Sequence, residues 1–281
     1  MGCLFAARLH ESGVHTTLVD HHAERAERLT KSGLSVETDN GSIEAAPTVS
    51  TTVPAKQDFI LILTKSAATA TLELPGDTPI LTLQNGLGNV ETICDHVGSA
   101  KVLAGTTSEA STLLAEGRVR HAASGVTTLG AWTSCATDAA TSALERAGFE
   151  IQQTNSPGQA LWAKAVISAG INPLTALLDV PNGRLVELEH ARMLMRDLVV
   201  EAAKVAAMEG YRFEHSLIEH AETVCRETAT NISSMLQDIR AGRATEIEAI
   251  SGEIMRRAEA ASMPTPRTRT IYQLVRSLES R

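Results

Sequence analysis

Residues 1–32, MGCLFAARLHESGVHTTLVDHHAERAERLTKS, decide how the chain folds. Leu4, Phe5, Arg8 and Leu9 recur at helical spacing and Gly13 stops the run, so residues 1–12 predict a helix. His15 to Asp20 predicts a buried strand ending in an acid, followed by a charged helix from Ala23 to Ser32. Two further apolar strands follow, Phe59 to Leu63 running into Thr64 and Lys65, and Pro79 to Leu83 running into Gln84 and Asn85. Strands alternating with helices imply parallel βαβ units, in which ligands gather at the carboxyl ends of the strands. Asp20, Lys65 and Asn85 all fall there.

A dinucleotide-binding domain of this kind begins with a strand and the turn GxGxxG, whose N–H groups and following helix hold a pyrophosphate. This sequence opens on the helix. Gly2 has the place of the last glycine and Asp20 that of the acid about 20 residues on. Two readings stay open: a motif whose first strand and leading glycines lie upstream of Met1, or a domain that never had that strand. Asp20 does not choose between them, because an acid ending a strand also caps the next helix.

From Lys101 to Trp132, short Val, Thr and Leu runs broken by glycines predict antiparallel strands at one sheet edge. A helix near Asp138 to Ala147 and a short strand from Gly148 to Gln153 complete the first domain. The turn cluster Asn155 to Gly158 sets the boundary, giving domains 1–156 and 157–281. The second reads as all helix: Leu161 to Leu177, Leu185 to Gly210, Phe213 to Asn231 and Thr245 to Ser262. Thr245 and Glu248 predict a capping box for the last of these. A length of 281 residues is enough for two cores.

The stretch LWAKAVISAGINPLTAL, 161–177, places Lys164, Ser168 and Asn172 four residues apart, one stripe on a helix. An ammonium group among Leu161, Trp162, Val166 and Ile167 needs a partner, which an anionic or carbonyl ligand would supply. A surface helix with Lys164 in water fits the spacing as well. Pro173 favours the site, since it predicts a helix end or kink beside the Asn172 amide.

The formal charge of −8, with no basic stripe interleaved with aromatics, excludes a general nucleic-acid binder. Cys3, Cys94, Cys135 and Cys225 lack CxxC spacing or a His partner, which suits reduced thiols in the cytoplasm. His21 and His22 are adjacent and ill placed to share a metal, so none is expected. No apolar run reaches the roughly 18 residues of a membrane span.

Four stretches, LQNGLGNVE (83–91), GTTSEAS (105–111), LWAKAVISAGINPLTALLDVPNGRL (161–185) and SSMLQDIRAGRATEIEAISGEIMRRA (233–258), resemble the ketopantoate reductases in order and spacing. The resemblance implies an α/β, Rossmann-like domain, shortened at its first strand, then an all-α domain, with an active site in the cleft between them. It implies NADPH-dependent reduction of 2-dehydropantoate to pantoate. Lys164 matches the family's catalytic lysine, Glu246 the acid that contacts substrate, and Asn172 and Ser234 substrate-binding positions. Lys65 and Asn85 match cofactor-binding positions, Asn85 also lying close to substrate.

The sequence departs from the family in three places. Ser168 stands where the family often has Asn, shortening one reach to substrate. Asp20 stands where a basic residue would hold a 2′-phosphate, which suits the ribose of NAD unless His21 or Arg25 compensates. The leading strand and glycines are missing, as in a truncated chain or one whose start was misassigned. Two other functions therefore stay in view: an NAD-dependent reductase of another 2-oxo acid, and a non-catalytic dimerising module. The apolar faces of the helices from Leu185 to Asn231 suit either a homodimer or a core.

Overall fold

A computed structural model describes residues 1–98 and 101–280. It divides into two compact units: residues 1–64, 68–84 and 90–157, and residues 65–67, 85–89 and 158–281. The fold is α/β, a Rossmann-like unit and an all-helical one.

In the first unit, helix α1 (Gly2–Glu11) leads through Gly13, at φ +77°, into strand β1 (Thr17–Val19), and helix α2 (Ala23–Ser32) follows. Strands β2 (Leu34–Thr38), β3 (Gly41–Ala45), β4 (Thr48–Ser50), β5 (Ile60–Ile62) and β6 (Ile80–Thr82) come next, then α3 (Asn89–Val97). Strands β7 (Val102–Thr107), β8 (Ala110–Ala115), β9 (Arg118–Ala123) and β10 (Thr127–Ala131), helix α4 (Asp138–Arg146) and strand β11 (Ile151–Gln153) complete the unit. The principal sheet has the order β11-β10-β7-β6-β5, with β5, β6 and β7 parallel and β10 antiparallel to β7. Among the described residues strand β1 pairs with β4 alone, in parallel, and β3-β2-β9-β8 form a third sheet.

In the region from Lys101 to Trp132 the expected antiparallel pairing forms, β7 with β10 and β8 with β9, but it does not lie at one sheet edge. Strand β7 lies inside the principal sheet, parallel to β6, because Val102, Leu103 and Ala104 are apolar on both faces and fully buried. Strands β8 and β9 leave for the other sheet. Gly105 admits the neighbouring strand: a Cβ there would stand 2.2 Å from the Thr128 carbonyl oxygen. Phe5 of α1 stacks on Phe149 with ring centroids 4.1 Å apart, tying both helical flanks to one core of Leu34, Leu81, Leu103 and Leu129.

The second unit comprises α5 (Pro157–Leu178), α6 (Arg184–Glu187), α7 (Glu189–Met208), α8 (Leu217–Glu227), α9 (Ser234–Arg240), a π-helical turn (Glu248–Gly252), α10 (Glu253–Ala260) and α11 (Pro266–Glu279). Helix α5 is buried along most of its length. It runs through Pro173 rather than ending there, since Ile171, Leu174 and Ala176 are all buried and their packing outweighs the lost helical hydrogen bond. By length and composition α5 is also apolar enough to cross a membrane, which the count of unbroken apolar residues missed; 61% of its most apolar window is buried among its neighbours. Gly170 lets α7 approach, a Cβ there standing 2.7 Å from Val199 Cγ2.

The capping box does not form. Thr245 donates its N–H and its hydroxyl to the Glu279 carboxylate of α11 (2.7 Å each), while Glu248 accepts from the Tyr272 hydroxyl. Helix α11, absent from the sequence reading, supplies both competing partners. Its own amino end is held by the buried Glu201, which accepts N–H bonds from Arg267 and Thr268.

Candidate active site

The polar stripe on α5 is half-buried along its length. Lys164, Ser168 and Asn172 are each partly accessible, while Leu161, Trp162, Val166 and Ile167 beside them are buried. Burial of the Lys164 amine pulls its pKa from 10.5 to about 8, against the opposing field of the Glu246 carboxylate, which raises it. The two side chains are therefore electrostatic neighbours inside one unit.

Glu246 is held from two sides. Its Oε2 accepts from Asn85 Nδ2 at 3.0 Å, and its Oε1 from the Ser66 N–H at 3.5 Å, the long limit of such a bond. Asn85 is fixed in turn, its carbonyl accepting from Asn89 Nδ2 at 3.0 Å. The loop they share is pinned to the π-helical turn by the Leu87 N–H, which donates to the Ala249 carbonyl at 2.8 Å. Gly86 makes this approach feasible. It sits at φ +83°, and a Cβ would stand 2.4 Å from the same carbonyl oxygen.

Lys65 is exposed, yet its Nζ donates to the Ala244 carbonyl at 2.6 Å and pairs with Asp238 Oδ1 at 2.9 Å. Arg243 Nε meets the same oxygen at 3.0 Å. One buried carboxylate thus answers two cations. Ser234 is the exposed first residue of α9. The N-cap of α9 is Ser233, whose Oγ accepts the Leu236 N–H at 3.1 Å. Thr175 Oγ1 lies 2.9 Å from the Asn172 carbonyl and 2.7 Å from Ser233 Oγ, bringing the start of α9 to the Asn172 end of the stripe.

The second unit thereby gathers Lys65, Asn85, Lys164, Asn172, Ser234 and Glu246. Gly2 and Asp20 belong to the first. Asp20 is buried at the carboxyl end of β1, accepting from the His22 N–H at 3.0 Å and from Arg25 through both oxygens. Burial works to raise its pKa, but the hydrogen bonds from Arg25 and His22 and the Arg25 charge hold it below the usual carboxylate value. Gly2 begins α1 with nothing within 4 Å of where a Cβ would lie.

Sequence reasoning missed Ser66, whose contribution is a backbone N–H, and Asp238. The spacing of Asp238 four residues after Ser234 on one helix was the available signal for the latter.

A Rossmann-like α/β unit joined to a helical unit that carries a coupled lysine and glutamate defines a class of two-unit dehydrogenases and reductases. Residues 1–134 match the family described as ketopantoate reductase PanE/ApbA, and residues 158–279 its C-terminal counterpart. This chain belongs to the ketopantoate reductase family. It is 36% identical to 2-dehydropantoate 2-reductase of Halobacterium salinarum over 98% of this chain and 95% of that one. The Pyrococcus horikoshii 2-dehydropantoate 2-reductase is 31% identical over 100% and 95% of the two chains. Among solved structures, D-mandelate dehydrogenase with NADH and anilino(oxo)acetate superposes with a TM-score of 0.91 at 27% identity, covering 98% of this chain and 94% of that one. A PanE/ApbA family ketopantoate reductase from Ralstonia eutropha gives 0.89 at 27% identity, covering 99% and 95%.

Proposed function

We propose that this chain reduces 2-dehydropantoate to pantoate with NADPH, and that Lys164 is the proton donor. The observation that carries the reading is the Lys164 amine, half-buried under the field of Glu246, with a pKa of about 8. At neutral pH such an amine is still mostly protonated, yet its proton is acidic enough to leave. That is the condition for a general acid, a role worth roughly 10² to 10⁴ in rate.

When bound, the nicotinamide supplies a hydride to the ketone carbon. The ketone oxygen then carries negative charge, which the Lys164 ammonium stabilises and protonates. Glu246, oriented by Asn85 and Ser66, accepts the substrate's hydroxyl and keeps Lys164 charged at rest. Asn172 and Ser234 offer donors to the substrate's carboxylate, and Ser168 a shorter one. Among the cofactor's contacts, Lys65 and Asn85 hold the polar groups nearest the site. Asp20, buried and gripped by Arg25, and the open space over Gly2 fit the ribose and phosphates of a dinucleotide. A 2′-phosphate would meet Arg25, and an unphosphorylated ribose Asp20.

The test is the consumption of NADPH with 2-dehydropantoate, followed by absorbance. Turnover at least tenfold faster than with other 2-oxo acids is expected, and none would end the reading. A second reading, an NAD-linked reductase of another 2-oxo acid, is favoured by Asp20 and by the likeness to the NADH-bound D-mandelate dehydrogenase. Higher kcat/KM with NADH and an aryl 2-oxo acid would select it.

A further inference from the structure

Residues 243–246 lead toward the π-helical turn without regular structure of their own, and Glu246 ends that link. The hydrogen bonds to its carboxylate are one of 3.0 Å from Asn85 and one of 3.5 Å from the Ser66 N–H. A side chain tethered this lightly keeps its place only where the backbone beneath it is fixed.

That backbone is fixed from the last helix of the same unit. Oε1 of Glu279, at the end of α11, accepts both the N–H and the hydroxyl of Thr245 at 2.7 Å. Thr245 Oγ1 in turn accepts the N–H of the fully buried Ile247 at 3.2 Å. The residues on both sides of Glu246 are thus tied through one hydroxyl to one carboxylate, by charge-assisted bonds that are shorter and stronger than neutral ones.

Glu279 is itself held. Its side chain is 10% exposed, its Oε2 accepts from Arg276 Nη1 at 2.9 Å, and α11 is seated by the buried Thr268, Ile271 and Val275. Its own helix gives no reason for a carboxylate there. Glu279 is the last residue of α11, where the helix dipole is negative and disfavours an acid. The bonds to Thr245 supply the reason.

We propose that Glu279 is a positioning residue for the reduction, acting through Thr245 to hold Glu246 in the orientation that serves Lys164 and the substrate's hydroxyl. The inference rests on the roles given above to Lys164 and Glu246, and adds to them a residue that acts only through another.

The experiment titrates the Lys164 amine by NMR of lysine labelled at its ε-carbon, the signal being assigned by its loss in Lys164→Ala. The proteins compared are the native chain, Glu246→Gln, Glu279→Gln, Glu279→Ala and Thr245→Val. The Glu246 charge raises the lysine's pKa, so Glu246→Gln lowers it. A glutamine at 279 still accepts from Thr245, and an alanine does not. Glu279→Ala should therefore reproduce about half or more of the drop seen in Glu246→Gln, while Glu279→Gln stays near native. Combining Glu279→Ala with Glu246→Gln should lower the value no further than Glu246→Gln alone. Thr245→Val, a smaller change that keeps the N–H, should move it in the same direction. In steady state, KM for 2-dehydropantoate should rise about threefold or more in Glu279→Ala and remain near native in Glu279→Gln.

An unmoved lysine in Glu279→Ala and Thr245→Val would reduce Glu279 to an anchor of α11 and overturn the proposal. Equal drops in Glu279→Ala and Glu279→Gln would mean that its charge acts through space rather than through Thr245, which overturns it too. The titrations read the resting protein, so they stand apart from the catalytic reading, whose own failure shows as unchanged turnover in Lys164→Ala.

Discussion

Asn85 Nδ2 donates to Glu246 Oε2 at 3.0 Å, joining residues 161 positions apart in the chain within one compact unit. The bond leaves the carboxylate with one oxygen fixed by an amide and its charge directed at Lys164. An acceptor held this way is oriented before any substrate arrives, which is how a rigid site lowers the cost of alignment.

Lys164→Ala should lower kcat with 2-dehydropantoate at least about a hundredfold while leaving the fold intact. Steady-state kinetics beside circular dichroism check both halves. Near-normal turnover would remove the lysine from the chemistry.

The reductive rate should fall as pH rises through about 8, where the Lys164 ammonium loses its proton. Glu246 raises that pKa, so Glu246→Gln should move the alkaline limb of the kcat profile to lower pH. A limb that stays in place would show the carboxylate has no influence on the lysine.

Stability has the opposite pH dependence. The folded amine titrates near 8 and the unfolded one near 10.5, so between these values the unfolded chain binds more protons and stability rises with pH. The penalty for the buried charge is fully present below pH 8 and gone above 10.5. Lys164→Met should therefore be more stable than the native chain at pH 7, with the difference shrinking by pH 10.5, as denaturant titrations at the two pH values would reveal.

Arg25→Ala removes the cation beside Asp20. If a 2′-phosphate meets that guanidinium, kcat/KM should drop about tenfold or more for NADPH and change little for NADH, since one charge-assisted hydrogen bond is worth roughly 1.5–3 kcal/mol. Equal losses with both cofactors would place the phosphate elsewhere.

Gly86→Ala should destabilise the second unit by at least about 2 kcal/mol, combining a left-handed backbone with a clash on the Ala249 carbonyl. Thermal melts measure the loss. An unchanged midpoint would mean the loop shifts freely, and the orientation of Glu246 would then not depend on it.

Helix α2 was legible to the residue because its charged face and flanking Gly33 are local signals, and α1, β1, β5 and β6 were located within a residue or two by apolar runs. Strands β2, β3 and β4 were not, being short and mixed in polarity, so that no apolar run or clean alternation marks them. Which of the two adjacent serines caps α9 was not legible either, since Ser233 and Ser234 look alike until the Leu236 N–H chooses Ser233. The Thr245 capping box failed for a similar reason: a local pairing lost to Glu279, 34 residues away.

By itself, the sequence determined which residues alternate between strand and helix and which polar groups share one face of α5, because periodicity is a property of neighbours. It also determined the family, through long stretches no local rule would generate. Only the tertiary structure decided that Glu246 acts on Lys164, that Asp238 answers Lys65, and that Glu279 holds Thr245. Those relations depend on where distant segments come to rest, and packing, not spacing, sets the distances over which charges and hydrogen bonds act.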